Sequence, residues 1–210
     1  MPNQLKKSRT DVPDAFNLVA GRYDLLTALN PGYRKHLRWS ARRLGLEAGS
    51  RVLDLCCGTG LSTNALAQEV PDAEIVGLDA SAGMLAIARE KNFATEIQFV
   101  LGDAMEPEDA GIMGPFDGIL MAYGIRNVED PDVCLTRLYR LLRPGGTICF
   151  HEYSVADSIW ITGVCLVAGS QQTSTPSTVI GVMRWAMATG QRRTSRFSDS
   201  RFHTPCIPPP

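Results

Sequence analysis

The sequence lacks the features that would place it among nucleic-acid-binding or membrane-spanning proteins. Its 21 Lys and Arg nearly balance 22 Asp and Glu, so it has no broad basic field to attract nucleic acid. No apolar run approaches the ~18 residues that a membrane-spanning helix requires, since the apolar stretch 159–169 is too short. Residues 1–10 are polar and basic without an apolar core, which predicts that no secretory signal is present.

Paired cysteines are also missing, although the chain of 210 residues contains six cysteines. None forms a C-x-x-C pair or has the spacing of a zinc site, so no metal site is expected. Cys56 and Cys57 are adjacent, which is poor geometry for a mutual disulfide, and we interpret them as small side chains that line a loop. We therefore expect one domain, with a small appendage at most, in the reducing cytoplasm.

In contrast to these absences, the sequence contains one distinctive stretch, 51–60. The rest of the chain is organised around it. Its first half is apolar except for Asp54, as in a strand that is buried on both faces. Gly58 and Gly60 then allow the backbone to turn tightly, and they carry no Cβ that would block a ligand. A helix is predicted over 61–68, so strand, glycine turn and helix N-terminus form a nucleotide-binding corner.

Strand and helix patterns alternate between residues 51 and 152, which favours a parallel sheet with helices on both faces. The segment 143–146, Arg-Pro-Gly-Gly, is predicted as a turn. Ser81 is predicted as the N-cap of the helix that follows Ser81 in the chain. Further strands are predicted over 74–79, 97–101, 116–122 and 147–153, and further helices over 11–29, 33–44, 84–91 and 131–142. The first helix is expected to carry one apolar stripe, formed by Phe16, Val19, Ala20, Tyr23, Leu26 and Leu29.

Polar residues lie where the predicted strands end, which is where ligands bind in such sheets. Asp79 ends the second strand and can accept hydrogen bonds from both hydroxyls of an adenosine ribose, unless it only caps a helix. Asp103 ends the third strand, where a carboxylate can take the adenine amino group and the N–H of Ala104 a ring nitrogen; the alternative is a loop acid. Met84 can pack on the adenine face or belong to the core, and Ala122 begins the segment that closes the pocket.

The glycine turn distinguishes two kinds of nucleotide site. A dinucleotide fingerprint requires a third glycine, but position 63 is Thr63, and Asp54 within the strand is unusual for a pyrophosphate binder. The pattern Leu-Asp-x-x-x-Gly-x-Gly instead resembles the first motif of class I S-adenosylmethionine methyltransferases. An NAD-binding oxidoreductase is therefore an alternative against which the sequence argues.

Over residues 16–154 the chain resembles the ubiquinone/menaquinone biosynthesis C-methyltransferases. The segment Gly-Ile-Arg-Asn-Val at 124–128 carries the most specific part of this resemblance, and Tyr23-Asp24 and Glu152 belong to it as well. The resemblance implies an α/β, Rossmann-like class I methyltransferase fold with a mostly parallel, doubly wound sheet and an N-terminal helical lid. It also implies that S-adenosylmethionine donates a methyl group to a ring carbon of a polyprenylated quinol of the demethylmenaquinol or demethylubiquinol type.

The site residues follow from the strand ends together with this resemblance. Arg126 is expected to stabilise the acceptor phenolate, directly or through an activated water, with Asn127 beside it and Tyr23 of the lid as a further acceptor contact. The alternatives are an ion pair of Arg126 with Glu129 or Asp130, a core role for Tyr23, and His151 as the base. The candidate cofactor-binding residues are Asp54, Gly58, Thr59, Gly60, Asp79, Ala80, Met84, Asp103, Ala104 and Ala122.

Two substitutions and the C-terminal part depart from the family pattern. Ala122 stands where the family often has Ser, and Leu61 where it has an acid or another polar residue. After Ser154 the resemblance stops, so we expect the last strands to be missing or altered. If the sheet lacks them, the fifth strand becomes an exposed edge. A truncated or frame-shifted ending is our hypothesis, and a divergent tail is the alternative.

The predicted organisation is a helical lid over 1–50, a cofactor-binding domain over 51–158 and an atypical, partly disordered tail over 159–210. A lipophilic quinol substrate implies peripheral contact with the inner face of a membrane, and the basic face of helix 33–44 is a hint of it, although such faces are more often solvated. No nucleic-acid partner is expected, and an oligomer is left open. The functional alternatives are another small lipophilic or phenolic acceptor, or an inactive protein that binds S-adenosylmethionine.

Overall fold

The computed structural model describes residues 12–30, 32–154 and 177–184. In this part of the chain, short 3₁₀ helices at Pro107–Ala110 and Ile125–Asn127 accompany the main elements. The helices are α1 (Val12–Ala28), α2 (Tyr33–Arg43), α3 (Leu61–Glu69), α4 (Ala82–Arg89) and α5 (Pro131–Leu141). The strands are β1 (Arg51–Leu55), β2 (Glu74–Asp79), β3 (Ile97–Leu101), β4 (Phe116–Ala122), β5 (Leu142–Ser154) and β6 (Ser177–Arg184).

These strands form one sheet in the order β3-β2-β1-β4-β5-β6. The first five are parallel to one another, and β6 is antiparallel to β5. The strand order reverses between β1 and β4, because the chain leaves β3 at one edge and returns to the other side of β1. The carboxyl ends diverge at this switch point and leave a crevice for a ligand.

Alternate residues of the central strands face two separate apolar layers, so the prediction of a doubly wound sheet is confirmed. Val52 of β1 packs in the layer that contains Leu37 of α2 and Leu66 of α3. Leu53 of the same strand packs in the opposite layer with Leu138 of α5. Full burial of each such side chain contributes ~1.5–3 kcal/mol, so covering both faces of the sheet is the main source of stability.

Side chains cap the N-termini of helices α4 and α5. The Ser81 hydroxyl accepts a hydrogen bond from the N–H of Met84 at 3.1 Å, which confirms the predicted N-cap of α4. At the start of α5, Asp130 accepts the N–H groups of Asp132 and Val133 at 3.0 and 3.1 Å. Asp130, one of the two acids proposed to pair with Arg126, therefore serves as a helix cap.

The prediction of a separate turn over 143–146 is wrong, because these residues lie within β5. Leu142 already pairs with Phe116, and the register then jumps so that Thr147 pairs with Gly118. The intervening Arg-Pro-Gly-Gly segment bulges out of the ladder, and Gly145 adopts a φ of +83° that favours glycine. The motif thus bends a strand and does not end one.

The sheet does not end at β5, so the exposed edge that missing last strands would leave there does not arise. β6 pairs with β5 in antiparallel register from Thr147↔Arg184 to Ser154↔Ser177. The segment 177–184 is rich in β-branched residues, but a long connection and not a tight turn joins it to β5, so no hairpin signal announces it. The disorder predicted over 159–210 otherwise concerns residues outside the described part of the chain.

Helix α1 turns less of its apolar surface inward than its pattern predicts. Ala20 is buried, and Phe16 and Tyr23 are half-buried, but Leu26 and Leu29 are 56% and 73% exposed. The reason is that α1 packs against α4. A helix that is covered on a single side buries no more than a narrow stripe of its surface. Within the described residues, no helix combines the length and apolar character needed to cross a membrane.

Candidate functional site

A cavity of about 780 Å³ lies at the carboxyl ends of β1, β2, β3 and β4, beneath α1. Its walls come from several strand ends and from α1. The candidate residues that line it are Tyr23, Gly58, Asp79, Ala80, Met84, Asp103, Ala104, Ala122, Arg126 and Asn127. The remaining candidates, Asp54, Thr59 and Gly60, do not line this cavity and lie in or beneath the glycine loop.

Asp79 holds together the two backbone segments that surround it. One carboxylate oxygen accepts the N–H of Gly58 at 2.8 Å, and the other accepts the N–H of Ser81 at 2.8 Å. Burial raises the pKa of Asp79, and these two donors act in the opposite direction. Each carboxylate oxygen has a second lone pair, so Asp79 can also accept hydrogen bonds from a diol in the cavity.

Asp103 and its neighbours form the next part of the wall, at the end of β3. One oxygen of Asp103 accepts the N–H of Met105 at 2.8 Å, which fixes the turn after the strand. A Cβ at Gly102 would lie 2.5 Å from the Cβ of Ala110, so only glycine fits there. Met84 is buried on the α4 side of the same cavity, so an apolar side chain and a carboxylate meet there.

Asp54 supports the glycine loop from below. Its Oδ2 accepts hydrogen bonds from the hydroxyls of Ser62 and Thr63 at 2.8 and 2.6 Å, so β1 is tied to the first turn of α3. The carboxyl group is fully buried, and this burial raises its pKa to about 7. Thr63 occupies the position of the third glycine of a dinucleotide fingerprint, and its hydroxyl is used in this tie.

Thr59 connects the glycine loop to the lid. Its hydroxyl donates to Asp24 of α1 at 2.5 Å, and its carbonyl oxygen accepts from the ammonium group of Lys91 at 2.6 Å. Asp24 and Lys91 also form an ion pair, which closes a three-membered polar cluster. Gly60, beside this cluster, is the N-cap of α3 and has a φ of +81°.

A second attachment holds the first half of α1. The side-chain oxygen of Asn17 accepts hydrogen bonds from the Ser81 hydroxyl at 2.7 Å and from the N–H of Gly83 at 2.9 Å. Asn17 and Asp24 are two helical turns apart and therefore share one face of α1. This pair of polar residues at a spacing of seven, on the face of α1 that also carries Ala20, is the sequence signal from which the attachments could have been predicted.

The opposite end of the cavity carries an arginine–glutamate pair. Arg126 donates to Glu152 of β5 at 2.5 Å, a partner that the sequence analysis did not consider. Glu152 is largely buried and Arg126 half-exposed, so the acid holds the guanidinium at the mouth of the cavity. Asn127 donates to the carbonyl oxygen of Tyr123 at 3.4 Å, which ties the short helix after β4 to the strand end.

His151 is buried behind this wall and does not line the cavity. Its two ring nitrogens lie 2.7 Å from the hydroxyl oxygens of Ser40 and Tyr123. Burial lowers the pKa of His151 to about 4, and the nearby His36 and Arg43 act in the same direction. The alternative that His151 is the base is therefore disfavoured by both position and basicity.

Comparison with known proteins assigns this architecture to a family. The model of the ubiE/COQ5 methyltransferase family matches residues 3–162. The chain belongs to this family. Three relatives are named demethylmenaquinone methyltransferase, from Lactobacillus johnsonii (38% identity over 71% of this chain and 63% of the relative), Thermus thermophilus (40%, 66% and 64%) and Staphylococcus aureus (36%, 71% and 63%). The chain thus spans less than two thirds of the length of these curated relatives.

Solved structures share the fold at lower identity. The [4+2]-cyclase SpnF has a TM-score of 0.61 at 23% identity, over 72% of this chain and 62% of that one. Phosphoethanolamine N-methyltransferase 2 of Haemonchus contortus, solved in complex with S-adenosyl-L-methionine, has a TM-score of 0.59 at 24% identity, over 79% and 41%. A cyclase and a methyltransferase thus share this architecture, so the fold alone does not establish the reaction.

S-adenosylmethionine fits the residues at the cofactor end of the cavity. Membership of a methyltransferase family supports it as the cofactor. Asp79 and Asp103 present carboxylate oxygens to the same cavity, as ribose hydroxyls and an adenine amino group require. Gly58 has a φ of +56°, and a Cβ added to it would meet no neighbouring atom within 4 Å, so its backbone is open to a ligand.

Proposed function

We propose that this site transfers the methyl group of S-adenosylmethionine to a ring carbon of a polyprenylated quinol, of the demethylmenaquinol or demethylubiquinol type. The observation that carries the proposal is the single cavity that joins two different ends. Asp79 and Asp103 lie at the end suited to a nucleoside, and the Arg126–Glu152 pair lies at the other. Family membership and the names of the relatives support the choice of a quinol.

The sulfonium of the bound cofactor supplies an activated methyl group. The chain therefore has to align the acceptor carbon with that group and exclude water. Holding two reactants in a near-attack geometry contributes up to ~7–11 kcal/mol to lowering the barrier. The attachments of α1 through Asn17 and Asp24 place Phe16 and Tyr23 over the cavity, so the lid performs both tasks.

Arg126 is proposed to stabilise the negative charge on the acceptor oxygen. A ring carbon becomes more nucleophilic when a neighbouring hydroxyl loses its proton, and a guanidinium close to that oxygen favours the phenolate. A guanidinium has five N–H donors, so its contact with Glu152 is compatible with a contact to the acceptor. Arg126 acts either directly or through an activated water, with Asn127 beside it and Tyr23 contacting the acceptor from the lid.

Peripheral contact with the cytoplasmic face of a membrane belongs to the same proposal. Leu18 and Leu25 on the outward side of α1, together with Leu29 directly after its end, form one stripe and are 88%, 67% and 73% exposed. Arg22 is exposed within this stripe, and the basic face of α2 follows it in the chain. An apolar stripe with interspersed cations is suited to the boundary between anionic headgroups and acyl chains. The lid would then receive the acceptor directly from the lipid.

Two measurements test the proposed function. Calorimetric titration should show micromolar binding of S-adenosylhomocysteine and no binding of NAD. Incubation with S-adenosylmethionine and a demethylated quinol should then yield a product heavier by one methyl group in mass spectrometry. Binding without product from any quinol, but with product from a simple phenol, would replace the quinol by another phenolic acceptor. Binding without any product would identify an inactive cofactor-binding protein.

A further inference from the structure

Tyr123 has an unusual backbone conformation directly after β4, where it lines the acceptor end of the cavity. Its φ is +59°, a left-handed value that a residue with a side chain adopts only where its surroundings hold it there. The Tyr123 N–H donates to the carbonyl oxygen of His151 at 2.7 Å. Its ring stacks on that of Tyr33, with 5.2 Å between centroids and 15° between planes.

A chain of hydrogen bonds ties the Tyr123 hydroxyl to α2, and its direction follows from the partners. The Ser40 hydroxyl lies 3.1 Å from the carbonyl oxygen of His36, which can only accept, so Ser40 donates there. The Ser40 oxygen then accepts from Nδ1–H of His151 at 2.7 Å. This leaves Nε2 of His151 as the acceptor for the Tyr123 O–H at 2.7 Å.

The chain therefore holds the ring of Tyr123 against Tyr33 and His151. Both His151 and Ser40 are fully buried, so water does not compete for their hydrogen bonds. The Tyr123 carbonyl oxygen accepts from Asn127, so a shift of Tyr123 would also move the short helix that carries Arg126. Tyr123 is 7% exposed and lines the cavity, so the part of it that is not covered by Tyr33 and His151 borders the end where the proposed acceptor ring has to lie.

We propose that Tyr123 is a positioning residue for the aromatic ring of the methyl acceptor, and that His151 and Ser40 hold it in place from α2. This inference rests on the proposed function, because it concerns the acceptor of that reaction. It adds residues from α2 and β5 that never reach the cavity themselves. It also explains why a histidine is buried in β5 with both ring nitrogens bonded.

Two histidine variants test the inference. His151→Leu removes the acceptor of the Tyr123 hydroxyl, and His151→Gln replaces it with an amide oxygen. We expect His151→Leu to raise the KM for the quinol about fivefold to tenfold, as the loss of one buried hydrogen bond implies, with the Kd for S-adenosylhomocysteine unchanged. His151→Gln should restore a KM close to that of the wild type.

Tyr123→Phe removes the hydroxyl that donates the same hydrogen bond. This variant tests the inference if His151→Leu does not fold. Its KM should match that of His151→Leu, and the double variant should be no worse than either single one, because all three lack the same bond. Lower melting temperatures with a wild-type KM in both variants would overturn the inference and leave the proposed function standing. A wild-type protein that binds S-adenosylhomocysteine but methylates no quinol would overturn both.

Discussion

At the residue scale, Asp79 orders the glycine loop and lines the part of the cavity where the cofactor is proposed to bind. Asp79→Asn keeps the shape but removes the charge, and its amide nitrogen cannot accept the N–H that the lost oxygen bonded. We expect the Kd for S-adenosylhomocysteine to rise about tenfold to a hundredfold, since hydrogen bonds to charged groups contribute ~1.5–3 kcal/mol. Calorimetric titration with S-adenosylhomocysteine measures this dissociation constant.

Asp72→Asn is the matched control, because Asp72 is exposed and lies outside the cavity. It should bind S-adenosylhomocysteine like the wild type. A circular dichroism melt of both variants separates loss of binding from loss of fold. Equal dissociation constants for Asp79→Asn and the wild type would contradict the assignment of Asp79 to the cofactor.

Arg126 allows an equally direct test of the acceptor end. Arg126→Ala removes the cation proposed to stabilise the phenolate, and losing one such donor typically lowers kcat about a hundredfold to a thousandfold. The Kd for S-adenosylhomocysteine should not change, because the cofactor end lies elsewhere in the cavity. Steady-state kinetics with a demethylated quinol give kcat.

Arg143→Ala provides the comparison for this variant. Arg143 is also a half-exposed arginine in an ion pair, with Asp117, but it does not line the cavity. Its kcat should stay close to that of the wild type. If Arg126→Ala and Arg143→Ala have the same kcat, Arg126 has no part in the chemistry.

The residues of this site differ in how readily the sequence predicts them. Asp79 and Asp103 were predicted because they lie at the ends of strands that meet at one edge of a parallel sheet, and Met84 because it lies in the helix that follows β2. Glu152 and His151 were not assigned their partners. Arg126 and Glu152 are 26 residues apart, Tyr123 and His151 are 28 apart, and both pairs meet only across the β4–β5 pair. Asp54 was assigned to the cofactor, yet its hydrogen bonds run to α3 beneath the loop.

Helix α1 is the element whose two faces have different roles. Its inner face carries the attachments to the glycine loop and to α4, and its outer face carries the leucine stripe. We expect the variant with Leu18, Leu25 and Leu29 all changed to Gln to lose binding to vesicles that contain anionic lipid. Burial of each leucine contributes ~1.5–3 kcal/mol, so each change should weaken the partition about tenfold or more. Co-sedimentation with vesicles measures the bound fraction.

Met113→Gln and Leu18→Gln form a matched pair of single changes for this measurement. Met113 is 64% exposed in a loop before β4, whereas Leu18 is 88% exposed on the lid. Only Leu18→Gln should weaken vesicle binding. A different result is a wild type that does not bind vesicles but forms a dimer, with Leu18→Gln being monomeric. In that case a second copy of the chain, and not a membrane, covers the stripe.

At the scale of the element, the predicted bounds agree closely with the structure where the sequence of the element itself determines where it begins and ends. The predicted bounds of β2, β3 and β4 agree with the structure, since short apolar runs between turn residues define them. The bulge of β5 and the pairing of β6 were not predicted, because register is set by the neighbouring strand. The inward stripe of α1 was overestimated for a similar reason, since periodicity does not show how much of a helix its neighbours cover.

At the scale of the whole molecule, two buried groups give stability opposite dependences on pH. The folded pKa of Asp54 is raised from 3.8 to about 7, so its contribution is fully present below pH 3.8 and is lost as the pH rises through 7. The folded pKa of His151 is lowered from 6.5 to about 4, so its contribution is present above pH 6.5 and is lost as the pH falls through 4. Between pH 4 and 6.5 the two effects partly cancel.

Comparison of variants with the wild type separates these contributions. Relative to the wild type, Asp54→Asn should lose stability as the pH falls from 7 towards 4, with a limiting slope of ~1.4 kcal/mol per pH unit. Relative to the wild type, His151→Gln should gain stability as the pH falls from 6.5 towards 4. Urea unfolding at several pH values gives both differences. Differences that do not vary with pH would show that neither group has a shifted pKa.

The sequence by itself determined the class of fold and which strand ends line the cavity. Both depend on local patterns, namely apolar strands, a glycine turn and acids at strand ends, which a parallel sheet brings together without further information. Only the tertiary structure decided the partner of Arg126, the hydrogen bonds of His151 and the covering of β5 by β6. These depend on contacts between segments far apart in the chain, and the packing of the sheet and its lid alone sets the distances between them.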